Sequence, residues 1–406
     1  MLFRSSGLTC ETFNASEVTI EGDLELSHAT IDDLLELTES RIECLRATDL
    51  TVDGKVRIDD CSFREHVSVV ASTIRSASTF RYSDFEGRVT IKNTTFEDNL
   101  DCQFADFHSQ VSFDNSEFKA AAQFKQTRFG PFSSSFHDTE FHRAATFTEA
   151  VSTGSMDFGE RDRGESHEPA IFHDDLRLDD VNVCNLRLTG VDVDGQISIS
   201  EATVEVLAAT EIHCDTLKVT GTSFANATEL SDSTVGKLTV FDSRFEGTAE
   251  FDALKVRNSA RIEQSVFHSD CEFQSTTFIG DVSFERTRFA DRASFKSVRF
   301  IRNAYFFGAR FEGAATFEFA EFHQLGWFSR RGEQTPVPPV YFGNEVGFHD
   351  AVFHTANFSG GTFSEPAQFD RALFGVDPKD VTGREEQSTF DTTVDEDVTA
   401  ARETGE

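Results

Sequence analysis

Between Val266 and Phe328 a phenylalanine returns at positions 267, 273, 278, 284, 289, 295, 300, 306, 311, 317, 322 and 328, in steps that alternate six and five residues without a break. A smaller residue stands two positions before each ring, from Ser265, Cys271, Thr276 and Val282 through to Ala320 and Gly326. An α-helix repeats every 3.6 residues and a flat strand every 2, so a mean step of about 5.5 fits neither. It fits a chain that runs extended for two or three residues, turns, and repeats. One such coil cannot close a core, whereas coil stacked on coil buries rings and small residues in continuous columns.

The runs FEGAATFEFAEF (311–322) and FSGGTFSEPAQF (358–369) resemble the pentapeptide-repeat proteins, in a variant with Phe in place of the usual central Leu and an added residue in every second unit. The resemblance implies an all-β fold, a right-handed four-sided parallel β-helix in which the large residue and the small one two before it point inward. It covers nearly all of the chain up to Phe374.

Aliphatic residues carry the same spacing upstream. Ile20, Leu26, Ile31, Leu37 and Ile42 lead through Val52, Ile58 and Phe63 into Phe80–Phe129, and Val183, Leu188, Val193, Ile199 and Val204 lead into the later rings. Two duplicated halves are therefore expected. Residues 21–31 match 194–204 at an offset of 173, and Ala144–Phe147 matches Ala314–Phe317 at an offset of 170. The pattern lapses between Phe158 and Phe172 and, over the same length, between Phe328 and Phe342. The segments 159–171 and 329–341, rich in Gly, Pro and charge, read as loops that leave the solenoid and rejoin it. The expected organisation is a first half over 8–180, a second half over 181–374 continuous with it, and a disordered acidic tail over 375–406. Phe390 in that tail is a candidate cap for the last coil.

The formal charge is −34, from 71 acidic against 37 basic residues, and lysine is scarce, as on a salt-adapted surface. No Lys/Arg stripe able to release counterions from phosphates is visible, so direct nucleic-acid binding is not expected. No run approaches the 18 apolar residues of a spanning helix, and the N-terminal segment lacks a signal-peptide core, so a cytoplasmic protein without membrane attachment is expected. The seven cysteines contain no CxxC pair, and Cys61 and Cys271 occupy the small inward position, which suits reduced core residues.

Catalytic signals are sparse. No Walker loop, GxSxG or HExxH occurs, and Asp157-Phe158-Gly159 lacks the other parts of a kinase site. Eight histidines (108, 137, 142, 173, 268, 323, 349, 354) directly follow an inward ring, and at neighbouring faces they should point to different sides, as solvated surface residues without a shared metal. Arg288 and Arg310, separated by four steps of the repeat, should form a ladder on one face, balanced by carboxylates. No enzyme, cofactor or metal is expected.

What remains is a scaffold or interaction rod that docks another protein. The candidate contact residues sit in and beside the two loops: Arg161 and Arg163 in the first, Trp327, Arg330 and Arg331 at the second, since Trp and Arg dominate interface hot spots. The resemblance supplies an alternative, because some pentapeptide-repeat proteins imitate DNA with an acidic rod and bind DNA gyrase. A third reading places a small-molecule or enzymatic role in the loops.

Overall fold

Each ring in a coil needs a partner above and below, and the pairings supply it. The structure, a computed structural model, describes residues 3–4, 7–160, 167–329 and 337–381. It is a β-solenoid of about 16 turns built from parallel stacked coils. No α-helix occurs among the described residues, whose strands are mostly two residues long. The chain divides into two compact units, Met1–Asp215 and Thr216–Glu406.

In the first unit the inward column Ile31, Val52, Ile74, Phe96, Phe118 is held in parallel register from coil to coil. A second column, Phe63, Phe85, Phe107 and Phe129, stacks with centroids 5.0, 4.8 and 5.6 Å apart. In the second unit, Phe267 stacks on Phe289 at 5.2 Å, and three inward rings, Phe273, Phe278 and Phe284, lie between them in sequence. Four inward positions thus complete one coil, as the four-sided expectation requires. Rings of adjacent columns meet edge to face, as Phe278 does with Phe284 at 90°, and so do rings facing across the coil, as Phe284 does with Phe295 at 89°.

Two kinds of corner alternate. In the five-residue step the second residue after the ring takes positive φ: Ser275 at 60°, Arg286 at 57°, Ser297 at 55°. Left-handed backbone costs a non-glycine residue roughly 1–2 kcal/mol. Here it recurs at every second corner, because the ladder on either side dictates the turn.

Register survives changes in coil length. Phe224 stacks on Phe245 across a coil shorter than the one from Phe267 to Phe289. Between Phe129 and Phe136 the step lengthens to seven, and the extra length at Gly130-Pro131-Phe132 pushes Phe132 outward, 54% exposed, while Val111 still pairs with Ser134.

Each loop settles on a corner glycine. At Gly190 (φ 76°) a side chain would run into Pro169, and at Gly308 (φ 66°) into Val337 and Pro338. The last coil opens progressively: Phe353 is buried, Phe369 is 37% exposed and Phe374 51%. Of the segment expected to be a tail, residues 378–380 form a 3-10 turn capped by Asp377, while Phe390 lies outside the described residues.

In the second unit a carboxylate column, Glu229, Glu250 and Glu272, follows the coil register. Beside it the Asp252 carboxyl is pushed up to about 6 from an ordinary 3.8, by burial first, then by Glu272, Glu250 and Asp232, against the lowering hydrogen bond from the Gln274 amide. The folded state therefore holds this proton more tightly than the unfolded chain does. Stability should fall as pH rises from about 4 to 6 and stay at the lower level above that window. Asp252→Asn is expected to raise stability by about 1 kcal/mol at neutral pH, the partly exposed site screening the rest, and to remove that part of the decline. Urea unfolding on both sides of the window measures it.

Candidate functional site

Coil stacking places outward side chains in columns, so chemistry depends on which polar residues share a column. The columns flanking the first loop are the richest. Phe141 pairs with Phe172 across the loop, with ring centroids 4.7 Å apart and planes parallel. The residues that follow them, His142 and His173, are thereby brought side by side, rings 5.2 Å apart. Glu140, immediately before Phe141, reaches both: its Oε1 lies 2.8 Å from His173 Nε2 and 3.7 Å from His142 Nε2. Glu117, from the preceding coil, approaches His142 Nε2 at 3.0 Å, and Asp194, from the following coil, approaches His173 Nδ1 at 3.0 Å. Glu140 first and Asp194 next hold the His173 imidazole above its ordinary value.

A neighbouring cluster anchors the loop. His137 is 1% exposed, its ring stacked on His167 at 5.4 Å. Asp138 accepts from the Glu168 amide at 3.0 Å and meets His167 Nδ1 at 3.1 Å, while its own amide donates to the Glu168 carbonyl. Below, the Asp114 carboxylate accepts from Ser135 Oγ at 2.7 Å and the His137 amide at 3.2 Å, and pairs with Lys92 Nζ at 2.9 Å. Burial alone would raise its pKa, but the hydrogen bonds from Ser135, Lys92 and Ser112 outweigh it and hold the group below its usual value. His137 Nε2 lies 3.2 Å from Asp157 Oδ1 without hydrogen-bond alignment.

Two of the eight histidines depart from the solvated-surface expectation, and two others meet on one face. His137 is buried because the loop covers it, and the His323 side chain is 7% exposed beside Glu321. His142 and His173 do share a face: the loop parts them in sequence, yet they stand on successive coils.

A second feature of the first unit is aromatic. Tyr82 and Phe104 both sit at left-handed corners (φ 55° and 61°), an outlying conformation for bulky side chains. They stack outward at 4.7 Å and are 56% and 39% exposed. Phe104 forms one wall of an open groove of about 490 Å³ lined also by Asp106, Gln126, Arg128, Glu149 and Val151.

Of the residues singled out in the sequence, Trp327 is half-buried rather than presented: it packs edge-on against Phe307 at 5.2 Å and its indole N–H donates to Ser329 Oγ. Arg161, Arg163, Arg330 and Arg331 lie outside the described residues. Arg288 and Arg310 form the expected ladder, balanced by Glu312, which Arg288 grips with two hydrogen bonds of 2.9 and 2.7 Å. No helix among the described residues is long and apolar enough to cross a membrane.

The family profile described as pentapeptide repeats (9 copies) matches residues 255–299. No curated protein and no solved structure matches the chain.

Proposed function

We propose that this chain, a pentapeptide-repeat protein, is a non-catalytic scaffold whose outer columns dock another protein. The observation that carries this reading is the outward Tyr82–Phe104 stack beside the groove. The interior of the coils is filled by their own rings and aliphatic side chains, so recognition falls to the exterior. The left-handed corner is shared with every second turn; what sets this pair apart is that two stacked aromatic rings are left in solvent, 56% and 39% exposed. Asp106 and Glu149 supply two carboxylates to a lining with one cation, Arg128, which suits a protein segment carrying an aromatic or aliphatic anchor and a cationic neighbour. We place this activity in the cytoplasm, in keeping with seven cysteines that are all free thiols.

A second reading, imitation of DNA toward gyrase, draws support from the Glu229–Glu250–Glu272 column. Elsewhere the outer columns mix signs, as at Arg288–Glu312 and Arg299–Glu321. One experiment separates the two. The full chain, its Tyr82→Ser/Phe104→Ser variant and a Glu250→Gln/Glu272→Gln variant are used to capture partners at high salt and are added to a gyrase supercoiling reaction. The scaffold reading expects a partner that the aromatic variant releases by about tenfold or more, matching the loss of one interface anchor. A supercoiling effect abolished by the carboxamide variant would replace it with the DNA-mimic reading.

A further inference from the structure

We propose that Glu140, His142 and His173 form a binding site for one divalent transition-metal ion of the zinc class, with Asp194 as the group that orients His173. Three donor atoms, two imidazole nitrogens and one carboxylate oxygen, lie within 4.8 Å of one another. Two histidines and a glutamate are a common zinc donor set, and a tetrahedral ion with ligands at about 2.0–2.1 Å needs donor atoms about 3.3 Å apart. The observed separations from Glu140 Oε1, 2.8 and 3.7 Å, bracket that spacing, so small side-chain rotations suffice. Glu117 Oε1, 3.0 Å from His142 Nε2, stands ready as a further oxygen ligand.

The hydrogen-bond valence of His173 is the second, independent observation. Both its ring nitrogens face carboxylates, Asp194 on Nδ1 and Glu140 on Nε2. A neutral imidazole carries one N–H. With Nδ1–H donating to Asp194, the Nε2 lone pair of the neutral ring faces the Glu140 oxygen; either a second proton or a metal cation satisfies that contact, and only the metal also draws in His142 Nε2, 3.7 Å from the same oxygen. A carboxylate behind the non-ligating nitrogen is the usual partner of a metal-bound histidine, fixing tautomer and ring orientation.

Backbone pairing supplies preorganisation. The register of Glu140 with Ile171 and of Phe141 with Phe172 is set by the buried ladder, so the histidine pair does not depend on loop conformation. The site lies at the foot of the first loop, just past its return at Ile171.

Zinc titration of the chelator-treated full chain, followed by calorimetry in excess Mg²⁺, tests the assignment. One tight equivalent is expected, weakened about 100-fold or more in His142→Ala/His173→Ala and about 10-fold in Asp194→Asn. Cobalt substituted at the same site should report nitrogen ligation in its absorption spectrum and lose it in the double variant. These side chains are outward, and unfolding curves of the variants confirm an intact fold. Zinc binding that the double variant retains, or that Mg²⁺ displaces, would assign the ion to the general acidic surface and overturn the site.

Discussion

Phe295→Ala is expected to destabilise the second unit by about 4 kcal/mol, the middle of the range for a ring deleted from a packed core. Phe295 is 0% exposed. It stacks on Phe273 at 5.1 Å and on Phe317 at 4.8 Å, and meets Phe284, Phe289, Phe306 and Phe311 edge to face. Truncation leaves a void that its stacked neighbours cannot fill, since each is held by its own ladder. Repeat architectures respond locally, so hydrogen exchange should accelerate most at Cys271–Glu272, Ala293–Ser294 and Ala315–Thr316, the strands of that column. Unchanged exchange at those amides would mean that the neighbouring coils close over the cavity.

Asp114→Ala is expected to cost the first unit about 3 kcal/mol at neutral pH, since it strands Ser135 Oγ and the His137 amide around a buried vacancy and removes the ion partner of the half-exposed Lys92. Asp114→Asn keeps an acceptor and should cost less. Because the folded carboxyl is held below its usual value, its contribution is complete above the ordinary carboxylate range and is lost as pH falls through the folded pKa. The gap between wild type and the alanine variant should therefore narrow on acidification, which urea unfolding across pH measures. A gap that stayed constant with pH would assign the loss to packing alone.

The fold was legible in the chain because its large residues announce the coil. The alternation of six and five places Phe267 above Phe289 without any structural input, and Arg288 above Arg310 with it. The site was less legible, for a physical reason. His142 and His173 flank the first loop, and no fixed coil length connects them. Counting inward positions along the chain does: Phe141, Phe147, Ser152, Phe158 and Phe172 make four steps, one full coil. Ser152 hides in that count because a buried serine carries no hydrophobic signal. Nor could spacing show that His137 is buried, since the covering residue, His167, lies in a segment without periodicity. Composition marks Trp327 as a candidate contact residue, whereas in the structure Phe307 packs against it and Ser329 takes its N–H.

The corners that absorb coils as unequal as those joining Phe224 to Phe245, Phe113 to Phe136 and Phe141 to Phe172, all without loss of stacking, have a consequence for how such a chain changes over generations. An insertion or deletion at a corner is invisible to the core, as the outward Phe132 illustrates, whereas the same change inside a two-residue strand would turn a ring to solvent and a polar residue inward. Length can drift freely at one class of site and hardly at all at the other. New outer surface, and any chemistry it carries, can thus be acquired by lengthening a single corner, as in the long step from Phe158 to Phe172, beside which Glu140, His142 and His173 stand.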